Sequence, residues 1–260
     1  MSFQAIRVDH EGPASLITLN RPEKRNAISF QMMDELESAL EELGKRFETR
    51  GIILTGGADF FSSGMDLNSM KEVGSPREFT DYMSHWRRLN KSIETNPKPV
   101  IAAIEGFCLT GGLELALACD LRVGAEGSRY GITSSKIGTI PGAGGTQRLP
   151  RIVGIANALD ILFSADMIEA PRASAIGLLN RLTPKGEALS EAKKLVDVYA
   201  ERAPLSLQFN KRAVYAGMQM PLAEAIEFEG FMVNTIYLTD DKTEGMVSFL
   251  EKRPPRFTGS

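Results

Sequence analysis

Glu114 is the only carboxylate in an apolar stretch of small residues that runs from Gly106 to Cys119. Gly111 and Gly112 precede it, and the leucines and alanines around it predict a helix packed on most of its sides. Burying a carboxylate is unfavourable unless something compensates for its lost hydration. The glycines would let amide groups at a helix N-terminus point at a ligand. A desolvated acid beside free amides suits chemistry at a carbonyl group, where charge develops on oxygen and a proton moves.

Other readings of these small-residue segments remain open at this point. From its own stretch alone, Glu114 could equally face a solvent-filled gap or pair with a buried Arg or Lys. Residues 60–66 suggest close backbone approach, although by themselves they favour a plain turn. The run 137–147 is rich in glycine but has neither the lysine of a phosphate loop nor the glycine spacing of a dinucleotide site. A tight turn that lines a pocket is the better interpretation of that run.

The composition excludes several classes of function. The chain has 260 residues, 43% of them apolar and 24% charged, as in an ordinary globular protein, and its net charge of -3 gives no support to nucleic-acid binding. Cys108 and Cys119 are expected to be buried thiols in a reducing compartment. His10 and His85 have no ligand spacing with a cysteine, so we expect neither a metal site nor a histidine-dependent nucleophile.

No targeting or membrane segment is evident. The first residues lack a basic-then-apolar signal pattern, and no run approaches the roughly 18 apolar residues of a membrane span. We therefore expect a cytoplasmic protein, bacterial in type, or an organellar matrix protein whose transit segment has been removed. We expect no membrane partner.

The hydrophobic pattern predicts alternating strands and helices followed by a helical end. Apolar runs at 3–8 and 14–19 predict a hairpin. Three- and four-residue spacing from Ser29 predicts a helix, and the strand at 51–55 that follows it favours parallel pairing. Further strands are predicted at 100–104 and 120–123, and further helices at 75–96, 148–163, 169–178, 187–202, 204–219, 221–237 and 240–252.

The motifs of the chain resemble those of the enoyl-CoA hydratase/isomerase (crotonase) superfamily over nearly its whole length. They are N-R-P-E-K-R-N-A at 20–27, F-S-S-G-M-D-L at 61–67, K-P-V-I-A-A-I-E-G-F-C-L-T-G-G-L-E-L-A-L-A-C-D at 98–120, G-T-I-P-G-A-G-G-T-Q-R-L-P-R at 138–151 and D-D-K-T-E-G-M-V-S-F-L-E-K-R-P-P-x-F at 240–257. The resemblance implies an α/β fold of the ClpP/crotonase type, a spiral of β-β-α units at 1–200. It also implies a C-terminal helical region at 201–260 that mediates trimerisation, and two trimers often stack into a hexamer.

The resemblance further implies the ligand and the residues that hold it. The substrate would be an acyl-CoA thioester, so coenzyme A belongs to the substrate and no separate cofactor is expected. Two backbone N–H groups, matching Ser63 and Gly111, would form an oxyanion hole for the thioester oxygen as it gains enolate character. The positions that match substrate or CoA contacts are Lys24, Arg25, Ala27, Ser63, Gly64, Met65, Asp66, Gly111, Phe249 and Lys252. Lys252 could equally be an ordinary surface lysine.

The chain departs from the hydratase pattern at the second catalytic glutamate. Hydratases pair the glutamate that matches Glu114 with one in a segment like F-G-x-P-E-x-x-x-G, and here Ser134 takes that position. Serine has no useful acid–base range near neutral pH, and losing one of two such groups would lower the rate roughly 10²–10⁴-fold. Ser134 could still hold a water by hydrogen bonds. Single-base isomerases of the family keep the second glutamate and not the first, so a plain isomerase fits poorly.

Three functions therefore stay open. The first is a hydratase or hydratase-like lyase, with Glu114 and Ser134 as catalytic residues, the glutamate as principal acid/base and the serine holding water. The second is another enolate reaction of an acyl-CoA, such as decarboxylation, ring hydrolysis or thioester hydrolysis. The third is an inactive scaffold that binds CoA thioesters, against which the retained Glu114 and Gly111 count. The direction of the Glu114 pKa shift is open, because burial raises it and a helix N-terminus lowers it.

The acyl pocket is also undefined by the sequence. Met65, Met70, Met83 and Trp86 could line it, but methionine and aromatic side chains at helical spacing more often belong to the core. The length and identity of the acyl chain therefore cannot be predicted.

Overall fold

Strands and helices alternate up to about residue 200 in the computed structural model, which describes residues 3–71 and 73–260. The strands are β1 (Ile6–Glu11), β2 (Ala14–Leu19), β3 (Gly51–Thr55), β4 (Val100–Ile104), β5 (Phe107–Leu109), β6 (Leu121–Ala125), β7 (Arg129–Gly131), β8 (Ile168–Glu169) and β9 (Arg181–Thr183). The helices are α1 (Phe30–Lys45), α2 (Leu67–Lys71), α3 (Pro76–Glu94), α4 (Gly111–Ala118), α5 (Gly145–Val153), α6 (Ile155–Ser164), α7 (Ala170–Ala175), α8 (Ala188–Ala200), α9 (Pro204–Gly217), α10 (Leu222–Tyr237) and α11 (Asp240–Glu251).

Six strands form the main sheet, in the order β1-β2-β3-β4-β6-β9. β1 and β2 pair antiparallel as the predicted hairpin, and all the later pairs in this sheet are parallel. Every residue of β3 and of β4 is buried. Parallel strands that are covered on both faces read as continuous apolar runs, and these two do. The predicted α/β class and parallel pairing are confirmed.

A smaller sheet has the order β5-β7-β8 and contains the second strand of the repeating strand–strand–helix units. Ser62 also joins it through an isolated parallel bridge to Cys108 of β5. A main-sheet strand is thus followed three times by a segment of the small sheet and then by helix, after β3, β4 and β6 in turn. These strand–strand–helix units bring the segments after Ser62, β5 and β7 side by side.

Helices cover both faces of the main sheet. α1, α3 and α4 bury their apolar sides in the larger core, and α1 begins at Ser29, whose side chain accepts a hydrogen bond from the Met32 amide. On the other face α8 packs Ala188, Ala192 and Val196 into a smaller core. The site segments are therefore held on a sheet that is buried on both sides.

Two predicted helices differ in the structure. The helix expected over 148–163 is two helices, α5 and α6, because Gly154 adopts φ 80° between them. The helix expected over 169–178 is only α7, which ends before Gly177 at φ 80°. The short strands β5, β7, β8 and β9 were not predicted, since strands of two or three residues carry no periodicity.

The C-terminal helices expose many large apolar side chains and are tied to the core by a half-buried lysine. Lys211 of α9 donates from Nζ to the carbonyl oxygens of Ile93 at 2.8 Å and Lys98 at 3.2 Å, and to Asp120 Oδ2 at 2.8 Å. The exposed apolar residues of this region are Val214, Met218, Met220, Leu222, Ile226, Phe231, Val233, Tyr237, Leu238, Met246, Val247, Phe249 and Leu250. A domain boundary at 200/201 stays a prediction. Among the described residues, no helix combines the length and apolarity needed to cross a membrane.

Candidate active site

The site is built around a sharp turn between β5 and α4. Thr110 sits in that turn with φ 46° and ψ −114°, a conformation that is rare for a β-branched residue. Its amide donates to the carbonyl of Gly131 at 2.7 Å, and its Oγ1 lies 2.9 Å from Oγ1 of Thr133. The next strand–strand–helix unit therefore fixes this strained turn, as is common where backbone strain serves a site.

Two backbone amides, one in this turn and one in the segment facing it, make no hydrogen bond within the described residues. Gly111, the first residue of α4, has no partner for its N–H among the described residues. A Cβ atom placed on Gly111 would stand 3.2 Å from the amide nitrogen of Met65. The N–H of Met65 likewise has no acceptor in the described part of the chain. Two unmet donors side by side at a helix N-terminus can bind an oxyanion.

The structure corrects the assignment of Ser63 to the oxyanion hole. The amide of Ser63 donates to the carbonyl of Arg25 at 2.9 Å and is therefore occupied. Met65 forms a parallel bridge with Ile28, in which the bonds to Ile28 come from the residues on either side of Met65. The Met65 amide is left facing the other way. The F-S-S-G-M-D-L motif identified the segment, but only its pairing with residues 25–28 decides which amide is free.

Glu114 lies in the first turn of α4 and is 1% exposed. Its Oε1 accepts from the amide of Gly145, the first residue of α5, at 2.8 Å. Burial is the largest influence and raises the pKa of Glu114 to about 7, although the amides of Gly145 and Ala143 and the charge of Arg148 act in the opposite direction. The direction that the sequence left open is upward. Near neutral pH both forms of Glu114 are populated, as a group that accepts and returns a proton requires.

The loop that holds Glu114 is fixed from behind. Asn90 of α3 donates from Nδ2 to the carbonyl of Ala143 at 2.6 Å. Arg148 reaches the same carbonyl at 3.1 Å and pairs with Glu94 at 2.6 Å. Asn90, Glu94 and Arg148 were not identified from the sequence. They lie on α3 and α5, far from Glu114 along the chain, and only the folded structure brings them to the loop that holds it.

Ser134 lies next to this site and is 4% exposed. It follows β7, which runs parallel to β5, so the residues after the two strands lie side by side. Its hydroxyl makes no hydrogen bond to any described residue, which leaves it open to a water or a ligand. Lys136 does not assist it, since this exposed lysine pairs with Asp166 at 2.7 Å.

The loop at 20–27 is anchored so that two cations stand beside the oxyanion segment. Asn26 is 1% exposed and donates to the carbonyls of Gly56 and Phe61. Lys24 and Arg25 are exposed and have no ion-pair partner among the described residues. The buried Ala27 completes the loop, and positive side chains in this position suit a phosphate-bearing ligand.

Asp66 has a structural partner, in contrast to those two cations. Its Oδ2 pairs with Arg21 at 2.9 Å, and Asn68 donates its amide to Oδ1. Burial opposes ionisation, but these hydrogen bonds and the Arg21 charge together hold the pKa of Asp66 below its ordinary value. The charged pair fastens the loop at 20–27 to the segment that carries Gly64 and Met65.

The C-terminal residues expected to reach CoA lie exposed on the last helix and at its end. Phe249 of α11 is 83% exposed, and Lys252 is exposed at the end of the same helix. Neither side chain makes a hydrogen bond or ion pair to any described residue, so their contact with CoA stays a prediction. No cluster of three or more potential His, Cys, Asp or Glu metal ligands occurs within residues 3–71 and 73–260.

Comparison with known proteins places the chain in a family. The sequence profile described as "Enoyl-CoA hydratase/isomerase" matches residues 10–260. A short-chain-enoyl-CoA hydratase of Clostridium acetobutylicum is 34% identical over 97% of both chains, and a crotonyl-CoA hydratase of Syntrophomonas wolfei is 34% identical over 99% of both. The crystal structure of an enoyl-CoA hydratase from Bacillus anthracis superposes with a TM-score of 0.94 at 34% identity, covering 99% of this chain and 100% of the other. The crotonase fold implied by the motifs is confirmed, and the chain belongs to the enoyl-CoA hydratase/isomerase family.

Proposed function

We propose that this protein is an enoyl-CoA hydratase-like lyase, which adds water to a 2-enoyl-CoA or removes it from a 3-hydroxyacyl-CoA. The observation that carries the proposal is Glu114, buried, with a pKa of about 7, in the helical turn that begins with the free amide of Gly111. An acid/base poised at neutral pH beside an oxyanion site is what enolate chemistry needs. The reaction uses an acyl-CoA substrate and needs no cofactor besides the CoA that the substrate carries.

The amides of Gly111 and Met65 hold the thioester oxygen. As water attacks C3, the C2=C3 electrons move toward the carbonyl and negative charge develops on that oxygen, where the two donors stabilise it. Ionised Glu114 accepts the proton from the attacking water and then returns it to C2. One water is consumed, one C–O and one C–H bond form, and the enzyme is regenerated.

Ser134 orients the attacking water in this scheme. Its hydroxyl makes no hydrogen bond within the described part of the chain, so it can donate to and accept from a water. It does not ionise near neutral pH and therefore cannot act as an acid or base. Glu114 therefore serves both proton transfers, in place of a pair of glutamates. Water and proton are then delivered to the same face of the double bond.

The residues proposed to receive the CoA portion are Lys24, Arg25, Ala27 and the segment 63–66. The support is their position: the Ser63 amide and hydroxyl contact the carbonyls of Arg25 and Lys24, so both cations flank the thioester site. Phe249 and Lys252 are proposed to reach CoA as well, and the exposed apolar faces of α9 to α11 are proposed to join copies into a trimer or a hexamer.

A second candidate is another acyl-CoA enolate reaction, such as decarboxylation, ring hydrolysis or thioester hydrolysis. The observation that favours it is Ser134, because a neutral hydroxyl replaces the second acid/base that hydration ordinarily uses. Decarboxylation creates an enolate by losing CO₂ and needs only one proton donor at C2. An inactive scaffold is the least supported alternative. Glu114 keeps the backbone amides and the arginine charge that limit the rise of its pKa, and a protein that only binds has no need of them.

The test is hydration of crotonyl-CoA and of a longer 2-enoyl-CoA, followed by loss of the conjugated thioester absorbance. Glu114→Gln should reduce kcat by about 10²–10⁴-fold, since it removes the proton acceptor. Ser134→Ala should reduce kcat only about tenfold, the value of one hydrogen bond to water.

Glu105→Gln is the matched control for this experiment. Glu105 is also a buried glutamate that accepts backbone amides, those of Gly186 and Ala188 at the start of α8. Its replacement should leave activity in place. If the wild type binds crotonyl-CoA without hydrating it, the hydratase assignment fails for these substrates and decarboxylation or hydrolysis takes its place, with Ser134→Glu testing whether hydration can be restored.

A further inference from the structure

The hydroxyl of Tyr82 and the indole N–H of Trp86 are buried polar groups without partners. Both side chains are 0% exposed, and neither Tyr82 Oη nor Trp86 Nε1 makes a hydrogen bond to a described residue. Their spacing on α3 places them one turn apart on the same face of the helix. Buried donors are almost always satisfied, because an unmade bond forfeits the hydration that the group had in water. Such a pair calls for a partner from outside the chain.

Trp86 lies directly beside the proposed oxyanion hole, and Tyr82 is one helical turn away from it. A Cβ atom on Gly111 would stand 3.2 Å from both Cη2 and Cζ2 of Trp86, and also 3.2 Å from the Met65 amide nitrogen. The edge of the indole is therefore packed under the two free amides. Between the two aromatic residues, Met83 reaches the loop that precedes α5, since a Cβ on Gly142 would stand 2.9 Å from its Cε. α3 thus packs against both the free amides and the loop that precedes α5.

The charges nearby restrict what the partner can be. Burial is the largest influence and raises the pKa of Tyr82; the neighbouring indole N–H of Trp86 opposes this rise, and the carboxylates of Glu114 and Asp66 add to it. The phenol therefore stays protonated, and its own proton still lacks an acceptor among the described residues. An acyl carboxylate would add a third negative charge to the same neighbourhood. Trp86 can only donate, so even a rotation that turned its N–H to Tyr82 Oη would leave the phenol proton without an acceptor. The missing group is therefore a neutral oxygen.

We propose that Tyr82 determines substrate specificity, by selecting 2-enoyl-CoA thioesters whose acyl chain carries a hydroxyl or keto oxygen beyond the reacting double bond. The proposal rests on the proposed function, because it takes the amides of Gly111 and Met65 as the thioester site. The phenol donates to that oxygen, and Trp86 supplies a second donor for the other lone pair of a keto group.

The experiment compares wild type and Tyr82→Phe on two pairs of substrates that differ in one oxygen. The pairs are crotonyl-CoA with 4-hydroxybut-2-enoyl-CoA, and hex-2-enoyl-CoA with 5-oxohex-2-enoyl-CoA. Wild type should prefer the oxygenated member of at least one pair. In Tyr82→Phe the ratio of kcat/KM, oxygenated to plain, should fall about tenfold in that pair, whereas kcat/KM for the plain member should stay within about threefold.

Tyr130→Phe is the control, since it removes a buried phenol that already has a partner, Ser128 Oγ at 2.6 Å. It should lower thermal stability and leave the substrate ratio unchanged. Tyr82→Phe should not lower stability, because no bond within the protein is lost. An unchanged ratio in Tyr82→Phe, as expected if the phenol merely holds a water, would overturn the proposal, as would an equal loss on both members of each pair.

A binding measurement separates this inference from the proposed reaction. Trp86 is the only tryptophan of the chain, so intrinsic fluorescence reports on this part of the site. Butanoyl-CoA and 4-hydroxybutanoyl-CoA cannot be hydrated and serve as the probes. A preference for the hydroxylated thioester that is lost in Tyr82→Phe supports the inference even if no enoyl-CoA is hydrated. Equal affinities in wild type would refute it even if crotonyl-CoA is hydrated.

Discussion

Glu114 combines deep burial with a helix N-terminus on either side of it. Gly145, the first residue of α5, donates its amide to the Glu114 carboxylate. Glu114 itself lies three residues after the start of α4. Burial still outweighs these donors and leaves the pKa of Glu114 at about 7. Two consequences of that value can be measured separately, one in the rate and one in the stability.

The rate should depend on the ionisation of this single group. We expect kcat/KM for hydration of crotonyl-CoA to rise tenfold per pH unit below about pH 7 and to level off above it, because ionised Glu114 must accept the proton of water. The profile is measured between pH 4 and 9 with the stability of the enzyme checked at each end. A limb near pH 4.5, the ordinary value, would mean that the site is more hydrated than its burial indicates.

The stability should change with pH in the opposite sense. Between pH 4.5 and about 7 the unfolded chain ionises at this position while the native state keeps its proton, so the raised pKa lowers stability as pH rises. At about 1.4 kcal/mol per pH unit, the loss is about 3 kcal/mol above pH 7 and absent below pH 4.

Glu114→Gln removes this dependence while its amide oxygen can still accept from Gly145. The free energy of unfolding of the variant relative to wild type should therefore increase by about 3 kcal/mol between pH 4 and pH 8. Urea denaturation at the two pH values measures the difference. A constant difference would show that Glu114 has an ordinary pKa in the native state.

At the scale of elements, the glycine that opens α5 positions the carboxylate of Glu114. A Cβ on Gly145 would stand 3.1 Å from Cγ of Glu114, 2.9 Å from Cδ1 of Ile132 and 3.0 Å from Cβ of Pro141. Gly145→Ala should therefore push Glu114 out of place and lower kcat by about 10-fold to 100-fold, because misplacement of a reacting group is costly, while KM changes less.

Gly230→Ala serves as its control, since Gly230 also lies within a helix and a Cβ there meets nothing within 4 Å. That variant should retain kcat and gain slightly in stability, as alanine favours helix. Both variants are compared by steady-state kinetics with crotonyl-CoA. Equal kcat values in the two would show that the α5 N-terminus can shift without moving Glu114.

The elements near the site were predictable where the pattern is long and local. The helix from Phe30 to Lys45 and the buried strands β3 and β4 follow directly from periodicity and apolar runs. The motifs also placed Gly111 and Glu114 at a helix start. What they could not give was the direction of single groups: whether the free amide is that of Ser63 or Met65 depends on pairing with a loop about 35 residues earlier in the chain.

At the scale of the molecule, the C-terminal helices present an apolar surface that a single copy leaves open. Phe231 and Tyr237 of α10 are 71% and 61% exposed, and Leu222 at its start is 77% exposed. Exposed apolar areas of this extent mark protein interfaces. The family resemblance predicted assembly into trimers, but no sequence pattern specifies how many copies meet, because that depends on the angle between the faces.

We expect the protein to sediment as an assembly larger than one chain, and Phe231→Glu to dissociate it by placing a charge in the apolar contact. Val198→Glu is the control, as Val198 is 47% exposed on α8, outside the C-terminal helices. Analytical ultracentrifugation measures both. A wild type that sediments as a single chain, or a Phe231→Glu variant that stays assembled, would remove α10 from the interface.

Cys108 and Cys119 bracket the turn and the helix that carry the site, and both thiols are buried at 0% and 1% exposure. Burial raises the pKa of Cys119 to about 12 and that of Cys108 well above its usual range, so neither forms a reactive thiolate in the native state. Reaction with an excess of an aromatic disulfide reagent can therefore proceed only during transient openings of this segment. The rate of thiol modification therefore measures how often the strained turn at Thr110 opens. A bound acyl-CoA should lower that rate, because it stabilises the closed state.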